Sequence, residues 1–128
     1  MPEILYFDQS YRKLVDEVDN LLSSSSKISR KDIFLLAMVL GIENPSTIKK
    51  RDSFVRQSYL KPNDVNLIYA CAWHHFKDVD KLLDENSVYS IAEQCANTGF
   101  KVILRYIEES QHQFIKQIMI DTISKFHD

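Results

Sequence analysis

Apolar residues recur along most of the chain with the three-and-four spacing of helices that each bury one face. Tyr11, Leu14, Val15, Val18, Leu21 and Leu22 mark such a face over residues 9–22. The tract Ser23-Ser24-Ser25-Ser26 follows, and hydroxyl side chains that compete for backbone hydrogen bonds predict a connecting loop over 23–29. Ser29, with Asp32 three residues on, reads as the N-cap of a second helix. Its run from Ile33 to Leu40 is apolar almost all round and belongs at the centre, with Gly41 as a left-handed C-cap.

Residues 42–61 read as a second connecting loop. Within it, 52–60 fit neither the helical nor the strand period, leaving a short helix or an extended arm. Pro62 at a first helical position and Asp64 in the first turn open a helix whose face is Val65, Ile68, Tyr69, Ala72, Trp73 and Phe76. A short amphipathic turn covers 78–83, and Asp84 caps a helix through Val88, Ile91, Ala92, Cys95 and Ala96. Gly99 is either a C-cap or a point where another helix packs closely against an unbroken one. The weak helix formers Asn97-Thr98-Gly99 favour a break, with a final helix from Phe100 to Ile123. The stripe in Phe114–Phe126 completes the core or forms a dimer face, and core completion is the expected role. No internal repeat emerges.

The expectation is an all-α, single-domain bundle of about five to six helices over residues 1–128. Composition agrees: 128 residues, 45% apolar, are enough for one self-sufficient core, and two glycines with three prolines leave little material for a turn-rich β fold. Glycines this few cannot write a Gly-rich phosphate loop. The start Met1-Pro2-Glu3-Ile4-Leu5-Tyr6 has no leader pattern, and no apolar run is long enough for a membrane span, so a cytoplasmic protein is expected. Cys71 and Cys95 read as free, buried thiols.

Candidate chemistry is sparse. Cys71 and His75 share a helix face at i, i+4, but a zinc site needs further ligands, and Cys95 and His112 stand at no recognisable spacing. A thiol or metal enzyme using Cys71, His74 and His75 is the weakest reading. The carboxylate pairs Glu108-Glu109, Asp78-Asp80 and Asp84-Glu85 read as solvated faces or caps. No hydrolase or metalloprotease motif occurs, so a non-enzyme without cofactor or metal is expected.

Charge is distributed unevenly. Residues 27–61 hold eight basic and three acidic residues, while the rest holds eight basic and fifteen acidic, within a net charge of −2. A basic segment in an acidic protein can dock a phosphate backbone or an acidic protein surface. Lys49, Lys50 and Arg51 are its densest point, with Arg56 and Lys61 beyond them. The plainest alternative is a solvated basic loop. Phe54 and Tyr59 could stack on unpaired bases or anchor the loop to the core. A stand-alone DNA-binding transcriptional regulator is a further alternative, although no short Gly-centred turn joins two helices as a helix-turn-helix requires.

The run Lys31-Asp32-Ile33-Phe34-Leu35-Leu36-Ala37-Met38-Val39-Leu40-Gly41 is followed by Lys49-Lys50-Arg51, Ser58-Tyr59-Leu60 and Ile91-Ala92-Glu93-Gln94-Cys95-Ala96-Asn97-Thr98-Gly99. Over residues 28–107 this pattern of helix cores and caps resembles the dnd system-associated protein 4 group, small helical proteins of bacterial DNA-phosphorothioation systems. The resemblance implies a non-catalytic accessory subunit of an anti-phage defence or DNA-modification locus. Its expected partners are a nuclease, an ATPase or another copy of itself; the resemblance assigns no binding surface, and the candidate contact with nucleic acid is the basic segment at 49–56, read from the residues alone.

Overall fold

A computed structural model describes residues 3–25 and 27–127, without the side chains at 25, 110–117, 126 and 127. Five α-helices dominate it: α1 Arg12–Ser25, α2 Arg30–Leu40, α3 Pro62–Phe76, α4 Val79–Leu83 and α5 Glu85–His127. The architecture is a helical bundle but not purely α. Two antiparallel strands, β1 Ile4–Asp8 and β2 Arg51–Arg56, form a ribbon beside α5.

The ribbon escapes a periodicity reading for a physical reason. Leu5 pairs with Val55 and Tyr6 with Ser53, so Phe54 is an extra residue in a bulge. Phe54 and Val55 are consecutively buried as a result, and the alternation that would announce a strand is lost. Residues 42–61 are therefore not simply a loop: they contain β2 and the 3-10 turn Gln57–Tyr59. The rings of Phe7, Phe54 and Phe100 meet edge to face at 5.2–6.3 Å, tying β1, β2 and α5 into one core.

The connector expected over 23–29 is shorter than its sequence suggests, because α1 runs on to Ser25. Ser23 and Ser24 donate their hydroxyls back to the carbonyls of Asp19 and Asn20, which keeps them within the helix. At α2, Ser29 caps as expected, its Oγ accepting from Asp32 N–H. Gly41, however, is right-handed at φ −99°. Its value is spatial: a Cβ there would lie 1.9 Å from the Cys95 carbonyl oxygen, and one at Gly99 would lie 1.6 Å from that of Ala37. Where α2 crosses α5, backbone meets backbone.

That crossing also decides the fate of Gly99. The expected break is absent, and α5 continues from Glu85 to His127. Close packing outweighs the weak propensity of Asn97-Thr98-Gly99, whose first two side chains bond to neighbouring elements. Further along α5, Met119 packs half-buried against the core, while Ile120 and Ile123 are exposed. The expected Phe114–Phe126 stripe lies in part outside the described residues, including the side chains of Phe114 and Phe126.

The α3 boundary follows the sequence, with Pro62 in the first turn and Asp64 accepting from Lys61 N–H at 2.8 Å. Cys71 and Cys95 are buried free thiols with sulfurs 3.7 Å apart, bringing α3 against α5.

Candidate nucleic-acid interface

The basic segment is held by a frame of polar residues drawn from β1 and α5. In the ribbon, alternate β1 amides point away from β2 and need acceptors elsewhere. Tyr6 N–H donates to Glu93 Oε2 at 2.5 Å and Asp8 N–H to Asn97 Oδ1 at 3.1 Å. The spacings match, since four residues of helix rise about 6 Å and two of strand about 6.6–6.8 Å. Two α5 side chains thus stand where a third strand would.

The same frame fixes the approach to β2. Ser46 N–H donates to the Gln94 carbonyl, and Thr98 and Asn97 donate from their side chains to Ser46 Oγ at 2.8 and 3.1 Å. Asp8 Oδ1 then accepts the backbone N–H of both Lys49 and Lys50, each at 3.0 Å. The Lys50 amide, followed by the Ser10 hydroxyl, holds the Asp8 carboxyl below the usual carboxylate range. A carboxylate within a basic segment would ordinarily neutralise it. Here Asp8 Oδ1 is taken by the two backbone amides and Oδ2 by the Ser10 hydroxyl, which fixes the lysine backbones and leaves their side chains in solvent.

Glu93 behaves oppositely. It is 6% exposed, and burial pushes its carboxyl up to about 7 against the opposing pull of the Tyr6 amide and the Arg51 charge. Arg51 lies 5.3 Å over the Tyr6 ring, which orients its guanidinium beside this carboxyl.

All five basic positions picked out from the sequence, Lys49, Lys50, Arg51, Arg56 and Lys61, are exposed. They are not one cluster. Lys49, Lys50 and Arg51 gather where β2 begins, with both lysines beside an open depression of about 650 Å³ that Gln9, Tyr11 and Thr47 also line. Arg56 is the last residue of β2, about 16 Å along the strand, and Lys61 lies beyond it. The neighbouring cations are committed internally. Arg30 pairs with Asp19 and bonds the Phe54 carbonyl, Lys31 pairs with Asp64 at 2.9 Å, and Arg12 pairs with Asp52 at 2.6 Å. This last pair occupies the acidic residue inside β2 and lowers its carboxyl.

The two aromatics of the segment separate. Phe54 is buried and anchors the ribbon, whereas Tyr59 is 63% exposed. Sequence reasoning missed Asp8, Glu93 and Asn97. Their available signal was the i, i+4 polar pair Glu93 and Asn97 among Ala92, Cys95 and Ala96, on a face otherwise made for burial.

The Cys71–His75 half-site is not assembled. Cys71 faces Cys95, His75 is exposed with its ring edge-on to Phe76, and His74 Nε2 lies 3.2 Å from Glu43. Among the described residues no three His, Cys, Asp or Glu side chains group as metal ligands, and no helix is long and apolar enough to cross a membrane. No family model, curated protein or solved structure matches the chain.

Proposed function

We propose that this protein is a non-catalytic binding module that docks the phosphate backbone of a nucleic acid on the β2 end of its ribbon. The observation that carries the reading is the Asp8 arrangement. One carboxylate pins the backbones of Lys49 and Lys50, so a basic edge is presented from a rigid support at little cost in backbone ordering on binding. The five exposed cations act chiefly through charge, positioning a backbone rather than reading bases. The resemblance of residues 28–107 suggests the setting: an accessory subunit of a bacterial anti-phage or DNA-modification system, bringing a nuclease or ATPase partner to nucleic acid in the cytoplasm. A duplex-reading regulator is less well supported, because α2 commits Ile33, Phe34, Leu35, Ala37 and Met38 to the core.

Light scattering and fluorescence anisotropy with a labelled oligonucleotide test this reading, at salt between about 50 and 200 mM. Binding is expected to weaken steeply with salt. The triple variant Lys49→Ala/Lys50→Ala/Arg51→Ala is expected to lower the slope of log affinity against log salt by about two to three, with thermal stability unchanged. Absence of binding by the unaltered protein at low salt, or an unchanged slope in the triple variant, would overturn it.

A further inference from the structure

Phosphate contacts alone do not distinguish duplex from single strand, and the far end of β2 has a different character. There a cleft of about 560 Å³ opens between β2 and the start of α2, lined by Arg30, Lys31, Phe54, Val55, Arg56 and Tyr59. Its charge is largely spent: Asp19 holds Arg30, and Asp64 with Asp32 holds Lys31, leaving Arg56 as the cation with no ion pair among the described residues. What distinguishes this end is therefore its rings and apolar walls rather than its charge.

Tyr59 is the exposed ring of that cleft, and the turn bearing it is firmly anchored. Gln57 is buried, its side-chain amide donates to the Tyr89 hydroxyl at 2.9 Å, and its backbone N–H donates to the Glu3 carbonyl at 2.9 Å. Leu60 N–H closes the 3-10 turn onto the Gln57 carbonyl. A tyrosine 63% exposed, on a turn fixed from both sides, contributes little to the core. It is instead a platform on which a flat apolar ligand can lie with little loss of freedom.

We propose that Tyr59 stacks an unpaired base at this cleft, with Arg56 beside it for the adjoining phosphate, so that the ligand is single-stranded nucleic acid. A paired base keeps its faces inside the duplex and cannot use such a platform, whereas any unpaired base can, whatever its identity. The strand then runs along β2 from Tyr59 to Lys49, its phosphates met at the second end by Lys49, Lys50 and Arg51. This inference rests on the function proposed above and narrows its ligand.

The test compares single-stranded DNA, single-stranded RNA and duplex DNA of about 12 nucleotides or base pairs, by anisotropy, for the unaltered protein and for Tyr59→Ala, Tyr59→Phe and the triple lysine–arginine variant. Tighter binding of a single strand than of duplex is expected. Tyr59→Ala should weaken it about tenfold or more, Tyr59→Phe should retain it, and melting should be unchanged in both. Preference for the DNA or the RNA strand would identify the sugar and support the proposal equally. Equal affinity for duplex, or no effect of Tyr59→Ala, overturns the stacking role, while a weakened triple variant in that same experiment leaves the phosphate contacts standing. No binding of any of the three overturns both.

Discussion

Along α5, the seam with α2 and the seam with β1 are closed by opposite means. At the first, Gly41 and Gly99 remove side chains so that two backbones touch, and the contact is steric and indifferent to pH. At the second, Glu93 and Asn97 project side chains to meet β1 amides, and the contact is polar and titratable. One helix thus carries a joint indifferent to pH on one side and a joint sensitive to pH on the other. The proposed binding edge is mounted on the pH-sensitive side.

The most damaging way to break this contrast is Gly99→Ala. A Cβ 1.6 Å from the Ala37 carbonyl oxygen meets backbone rather than a flexible side chain, so the helices must separate. The expected loss exceeds ordinary overpacking, about 4 kcal/mol or more, and should appear in denaturant titration as a strongly lowered midpoint or no cooperative transition.

The polar seam should respond to pH instead. Because the Glu93 carboxyl is raised from 4.5 to about 7, its contribution to folding is full below pH 4.5 and is lost as pH rises through about 7. The difference is about 3 kcal/mol. Asp8, held below 3.8, has the opposite sign and loses its contribution only in acid. Melting temperatures from pH 5 to pH 8 are expected to fall more in the unaltered protein than in Glu93→Gln, which keeps an acceptor for Tyr6 N–H. Parallel curves for the two would refute the assignment.

Smaller again is Asn97→Ala. It strands the Asp8 amide and frees Ser46 from one donor, at a cost of about 1–3 kcal/mol in chemical denaturation. Hydrogen exchange at the Lys49 and Lys50 amides should rise in step, because Asp8 loses its support.

Much of this architecture is visible in the chain itself. Ser29 with Asp32, Pro62 with Asp64, and the apolar faces of the helices are local signals, and local signals survive into the fold. Gly99 shows where they stop, because a glycine that ends a helix and one that admits a neighbour look alike until the neighbour is known. The strand at 51–56 was hidden by its bulge, and its partner β1 by the unbroken apolar run from Ile4 to Phe7, which shows no alternation. The five basic positions are exposed as their composition suggested, but their support was not legible. Glu93 and Asn97 act on residues 87 and 89 positions away, and no pattern within one segment encodes such a meeting.

A lone two-stranded ribbon ordinarily offers two rows of unmatched amides and carbonyls on which further chains can grow. In this protein the β1 row is occupied by Glu93 and Asn97, while on β2 the Phe54 carbonyl accepts from Arg30 and the bulge interrupts the repeat. Arg51 and Arg56 add like charge at the ends of the exposed strand, so another copy approaching in register would meet repulsion before it met a hydrogen bond. The cations proposed to attract nucleic acid also guard the protein against sheet-like self-association.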